Sequence, residues 1–198
     1  VRHYNVAEPQ SAVVRNLPDN RFGEGLTILD NRLYQLTWRS QEVYVYEPTG
    51  LAPVDTFKIS GDGWGLTNNG RALIYSDGSD RLRFLNPDTR KVEKTLYVTM
   101  GGKPVQQLNE LEWIQGSIYA NVLPTNLVVI IDPQTGEVGS TLDLERLYPT
   151  RMRRSRDHIA NGLAWDHQRR ELLVTGKHWP WIYRLRLLRP KLEDLLSR

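Results

Sequence analysis

An all-β fold, a five-bladed β-propeller, is predicted by three observations: a phrase repeated four times at roughly 40 to 50 residues, strands that end in Pro-containing turns at matching points of the repeat, and a first segment that carries only the outer half of the phrase. Each unit of that length is a small antiparallel sheet that buries its faces only against its neighbours. The repeat therefore predicts a ring.

In chain order, Val1-Arg2-His3-Tyr4-Asn5-Val6-Ala7-Glu8-Pro9 reads as the outer half of a blade, and residues 1–20 are assigned to it. Its two inner strands have no counterpart in the sequence and are expected upstream of Val1, because an open ring would expose apolar faces and strand edges. Four fuller blades follow over 21–60, 61–105, 106–150 and 158–190. They open on Gly25-Leu26-Thr27, Gly65-Leu66-Thr67, Glu110-Leu111-Glu112 and Gly162-Leu163-Ala164. Through a turn, these lead into Leu33-Tyr34-Gln35-Leu36, Ala72-Leu73-Ile74-Tyr75, Ser117-Ile118-Tyr119-Ala120 and Glu171-Leu172-Leu173-Val174. The next strands of three copies end in the turns Glu47-Pro48-Thr49-Gly50, Asn86-Pro87-Asp88-Thr89 and Asp132-Pro133-Gln134-Thr135-Gly136, where proline's preset φ and missing N–H suit a hairpin. Pro190-Lys191-Leu192-Glu193-Asp194-Leu195-Leu196 reads as a short amphipathic C-terminal helix with proline near its start. The whole of 1–198 is read as a single domain.

Composition narrows the chemistry. A chain of 198 residues with 39% apolar content can bury a core without disulfides or metals, and zero cysteines exclude thiol catalysis and thiolate metal sites. No run of 18 apolar residues spans a membrane, and no signal peptide is visible. His3, His158, His167 and His178 share no metal-ligand spacing, so no metal is expected. The formal charge of +3 concentrates at Arg151, Arg153, Arg154 and Arg156. That cluster lacks the basic face or stacking aromatics of a nucleic-acid site, and reads as a solvated loop between blades.

Two anomalies point to a site. Six tryptophans lie beside turns, among them Trp38, Trp64, Trp179 and Trp181, and in a propeller the blade entries gather at one axial mouth. They line a funnel or pack one blade on the next; for Trp113 and Trp165, inside repeated strands, packing is favoured. The second anomaly is Glu24 between Gly23 and Gly25, where the repeat aligns it with Trp64, Asn109 and Asn161. A carboxylate enclosed by aromatic rings is a proton shuttle if loss of water raises its pKa, or a cap on loop amides. Both readings stay open at this point.

The motifs Phe22-Gly23-Glu24-Gly25-Leu26-Thr27, Gln35-Leu36-Thr37-Trp38, Gly63-Trp64-Gly65-Leu66-Thr67-Asn68-Asn69-Gly70, Ser76-Asp77-Gly78-Ser79, Leu108-Asn109-Glu110-Leu111-Glu112, Ala120-Asn121-Val122, Asn161-Gly162-Leu163-Ala164 and Thr175-Gly176-Lys177-His178-Trp179-Pro180 occur in order. Together they resemble the plant and bacterial glutaminyl cyclases, a five-bladed propeller family. The resemblance implies metal-independent, cofactor-free conversion of the N-terminal glutamine of peptides or proteins to pyroglutamate, with release of ammonia. It implies Glu24 as the proton shuttle, with Lys177 or Asn109 stabilising the developing oxyanion, a contribution of ~3 kcal/mol per donor. Phe22, Trp38 and Trp64 would form the aromatic wall, with Asn121, Asn161 and Trp179 as further substrate contacts. Leu123 stands where the family commonly carries a pocket tryptophan. The resemblance also implies a periplasmic or secreted monomer with no nucleic-acid or membrane partner. The competing reading is a non-catalytic propeller scaffold that holds peptide termini, with sugar binding third.

Overall fold

The computed structural model describes residues 1–5, 8–155 and 157–187. The expected helix at 190–196 lies outside the described residues. Among them the fold is all-β, with a single short 3-10 turn at Thr150–Met152.

Four antiparallel sheets follow one another along the chain, each starting from its innermost strand. The first blade runs Phe22–Leu29, Arg32–Trp38, Glu42–Tyr46 and Pro53–Lys58; the second Leu66–Asn68, Leu73–Ser76, Arg81–Leu85 and Val92–Tyr97. The third runs Leu108–Ile114, Ser117–Val122, Leu127–Ile131 and Val138–Asp143; the fourth has three strands, Ala160–Asp166, Glu171–Gly176 and Tyr183–Leu185. Arg2–Asn5 and Glu8–Val14 form a separate two-stranded hairpin. The ring is propeller-like, but the described chain has four blades where the repeat predicted five. The repeat finds blades by their inner strands, and the hairpin brings none.

Burial explains why the blades need one another. One apolar cluster joins the first two blades through Leu36, Val43 and Val45 against Leu66, Leu73 and Tyr75. Another joins the second and third through Ile74, Leu82 and Phe84 against Leu108, Leu111 and Ile118. A third joins Ile114 and Val128 to Ala160, Leu172 and Val174. The N-terminal hairpin leans on the outside of the first blade, where Val1 packs on the Leu33, Tyr46 and Leu51 group and Arg15 Nε donates to the Leu51 carbonyl at 3.1 Å.

The predicted turns are held by their own acidic or amide side chains. Asn86 Oδ1 accepts the N–H groups of Asp88 and Thr89, both at 3.0 Å, and Asp132 Oδ1 does the same for Gln134 and Thr135. Hydrogen bonds also tie inner strand to inner strand: Thr67 Oγ1 accepts the Trp113 N–H at 3.0 Å, and Glu112 Oε1 accepts that of Trp165 at 3.0 Å. The arginine-rich loop departs from the solvated reading at one residue. Arg153 has a side chain only 7% exposed and donates twice to the Tyr148 carbonyl.

Candidate active site

The repeated entry motif is a repeated β-bulge. In the first blade Gly23 pairs with Thr37 and Leu26 with Gln35, so Glu24 and Gly25 face the single residue Leu36. The same two-against-one count sets Asn109 and Glu110 against Asn121, and Asn161 and Gly162 against Thr175. A bulge re-aims the side chains it carries. The residues that share a sequence position thereby share one axial mouth.

Backbone contacts lock these entries in series. Gly25 N–H donates to the Trp64 carbonyl at 2.7 Å. Gly65 N–H donates to Ser76 Oγ at 2.8 Å, and Ser76 Oγ donates in turn to the Asn109 carbonyl at 2.8 Å. Asn121 Oδ1 accepts the Gly162 N–H at 3.2 Å. The approach is too close for side chains: a Cβ on Gly65 would stand 2.0 Å from the Asn109 carbonyl oxygen, and one on Gly78, at φ +80, would stand 2.6 Å from the Trp64 ring.

The outcome is a cavity of about 230 Å³ lined by Phe22, Glu24, Trp38, Trp64, Asn109, Leu123 and Lys177. Phe22 and Trp38 meet edge to face at 6.2 Å, and Arg39 lies 4.0 Å over the Trp38 ring. Phe22 is 63% exposed, so this side of the cup is open. Two buried polar atoms in the lining have no partner among the described residues, Trp64 Nε1 and Asn109 Oδ1. Unpaired groups of this kind are costly to bury, and they mark positions prepared for a ligand's donor and acceptor.

The charges are arranged to compete. Burial pushes the Glu24 carboxyl above the ordinary carboxylate range, while the Lys177 ammonium pulls it back part of the way. Behind it, burial and the Glu24 charge push Glu110 up to about 7, against the pull of Lys177. Burial raises Glu112 to about 7 as well, against the N–H of Trp165. Among the described residues no group of three or more His, Asp or Glu is placed to hold a metal ion.

Six of the nine expected site residues line this cavity: Glu24, Lys177, Asn109, Phe22, Trp38 and Trp64. Asn121 and Asn161 sit at the bulges beside it, fully and partly buried, with Nδ2 and Oδ1 respectively unpartnered. Trp179 is not in the lining. It is 8% exposed, packs edge-on to Tyr148 and Tyr183, and donates Nε1–H to the His158 carbonyl at 3.3 Å, so it belongs to the core between the third and fourth blades. Glu110 and Ser76 were missed. Glu110 stood in the entry motif, but nothing in its position showed that a bulge turns it inward. A larger cavity, about 730 Å³ between the third and fourth blades, contains Trp165 and three arginines but no carboxylate, and Arg169 and Arg186 are already paired with Asp166 and Glu171.

Comparison with known proteins identifies the family and the fold. Residues 1–187 match the family model described as glutamine cyclotransferase. A glutaminyl-peptide cyclotransferase of Arabidopsis thaliana is 35% identical over 190 residues, covering 94% of this chain and 59% of the relative. The chain thus spans about six tenths of that relative's length. The crystal structure of Myxococcus xanthus glutaminyl cyclase superposes with a TM-score of 0.82 at 34% identity, over 89% of this chain and 77% of the other. A chain of the mitotic checkpoint complex, at 14% identity and a TM-score of 0.54, shares the fold alone, over 87% of this chain and 50% of that one. The chain belongs to the glutamine cyclotransferase family.

Proposed function

We propose that the protein containing this chain is a glutaminyl-peptide cyclotransferase, which closes an N-terminal glutamine to pyroglutamate and releases ammonia without a metal. The observation that carries the reading is a half-buried carboxyl of raised pKa, Glu24, enclosed by Phe22, Trp38 and Trp64 and faced by Lys177.

The α-amine nitrogen attacks the side-chain amide carbon and forms the ring C–N bond. Its surplus proton passes to the Glu24 carboxylate. The former amide oxygen becomes an oxyanion, for which the Lys177 ammonium and the unpaired Trp64 N–H are available donors. Glu24 then returns the proton to the amide nitrogen as the exocyclic C–N bond breaks, ammonia leaves and the carboxylate is restored. Asn109 Oδ1, an unpaired acceptor, suits the N–H groups of the amine or amide. In this reading Lys177 takes the oxyanion role for which the sequence offered Lys177 or Asn109. Because the ring closes within one molecule, holding the folded-back conformer in the aromatic cup provides much of the advantage.

We further infer that a fifth blade completes the cup beside Phe22, because Phe22, Leu26 and Ile28 leave an exposed apolar row on the first blade's inner strand, 63%, 50% and 56% accessible. The test of the function is incubation with a glutaminyl dipeptide amide, with and without a chelator. Ammonia release and the matching mass loss are expected in both. Binding without ammonia would favour the peptide-holding scaffold instead.

A further inference from the structure

Next to the glutamine cavity lies a second one, of about 520 Å³, lined by Pro124, Asn126, Thr150, Arg153, Ser155 and Ile159. Their lining residues are linked at two points. Pro124 follows Leu123, which lines the first cavity, and the Ile159 carbonyl accepts the N–H of Lys177 at 2.9 Å.

Arg153 gives this second cavity its character. Nε and Nη2 donate to the Tyr148 carbonyl at 3.1 and 2.8 Å, Nη2 also donates to Asn126 Oδ1 at 2.5 Å, and the guanidinium lies over Trp179 and Tyr148. Nη1 makes no hydrogen bond among the described residues. The nearby carboxylate, Glu145, is 3.7 Å from Nη2 and is already engaged by the backbone N–H and hydroxyl of Thr150 and by Asn126 Nδ2. Arg151 and Arg154 are exposed on the same loop. The wall therefore presents a pre-oriented cation with one donor edge open, inside an excess of positive charge.

We propose that this cavity receives the residues that follow the N-terminal glutamine of the substrate, and that it favours an acidic side chain at the second or third position. The inference rests on the cyclotransferase reading, which fixes where the glutamine sits. In this proposal the peptide runs from there past Leu123 and Lys177 toward the Arg153 recess.

The experiment compares Gln-Glu-Ala and Gln-Ala-Glu amides with their Lys counterparts in the wild type, Arg153→Ala and Ser155→Glu, reading KM by ammonia release and Kd by calorimetry on Glu24→Gln. The acidic peptides are expected to show KM values in the wild type, and Kd values in Glu24→Gln, about three- to tenfold lower, a preference that shrinks with added salt. Ser155→Glu, on the exposed rim, is expected to abolish or invert the preference even if Arg153→Ala fails to fold. Equal KM in the wild type and equal Kd in Glu24→Gln for acidic and basic peptides would overturn the proposal. An acidic preference in Kd without any ammonia release would uphold this cavity while overturning the cyclotransferase reading.

Discussion

The backbone N–H of Gly25 donates to the carbonyl of Trp64 at 2.7 Å, tying the bulge that carries the catalytic candidate Glu24 to the entry of the next blade. Two halves of the site are thus positioned by main chain rather than by flexible side chains. A Cβ on Gly25 would stand 2.4 Å from the Leu66 nitrogen and 2.7 Å from the Trp64 oxygen, both backbone atoms with little freedom to yield. Gly25→Ala is expected to cost about 1 to 3 kcal/mol and to lower turnover, read by denaturation and ammonia release. Gly139→Ala, with no atom within 4 Å of the added Cβ, serves as the neutral control. A Gly25→Ala protein with wild-type melting and turnover would refute this account.

Glu24→Gln removes the proton acceptor while keeping size and one acceptor oxygen. Turnover of a glutaminyl dipeptide amide is expected to fall by about 10²- to 10⁴-fold with substrate binding retained. Retained turnover would remove Glu24 from the reaction.

The acid limb of the pH profile provides a separate test. The mechanism needs Glu24 ionised, and burial raises its pKa while Lys177 lowers it. Activity should therefore decline on the acidic side at a pH above the ordinary carboxylate range. Lys177→Met removes the lowering influence, so the residual activity of that variant should show its acid limb moved to higher pH. An unmoved limb would mean that Lys177 does not act on Glu24.

Stability should fall as pH rises through neutrality. Glu110 and Glu112 have folded-state pKa values raised to about 7 from 4.5, so between those values the folded chain holds more protons than the unfolded one. Stability then declines with pH across that window and the penalty is complete above about pH 7. The opposite case, Glu42, lowered to about 2 by Arg21 and Lys58, acts only below about pH 4.5 and leaves this range untouched. Denaturant midpoints are expected to drop from pH 5 to pH 8. Glu112→Gln, which keeps an acceptor for the Trp165 N–H, should recover on the order of 3 kcal/mol at pH 8. If that variant loses as much stability as the wild type over the same range, the buried-carboxyl explanation is wrong.

Leu123→Trp would add a flat ring to the cavity wall where the chain has only aliphatic bulk. An aromatic contact is worth about 0.5 to 1.5 kcal/mol, so KM should fall severalfold with little change in kcat. A raised KM would indicate that the cavity has no room for the indole.

The repeat of Leu26, Leu66, Leu111 and Leu163 was enough to set out four blades in order, because each leucine lies on the inner strand of a blade that buries its faces against its neighbours. Glycine-flanked Glu24, aligned with Trp64 and Asn109, was enough to gather a site at one mouth, since equivalent positions in a ring meet at the axis. Local sequence could not separate Trp64, with its unpaired indole N–H in the cavity, from Trp179, which is consumed by packing between blades. Both are tryptophans near glycine, and only the neighbouring blade decides which line the cavity and which pack on Tyr148.

The sequence by itself determined the repeating sheet and the residue types that its entry motifs bring to one mouth, because period, turn chemistry and residue type are properties of short stretches. The tertiary structure alone decided the upward pKa shifts of Glu24, Glu110 and Glu112, the partnership of Glu24 with Lys177, and the burial of Arg153 within an otherwise exposed basic loop. These depend on desolvation and on charges brought together from separate blades, and neither quantity exists until the ring of sheets has formed.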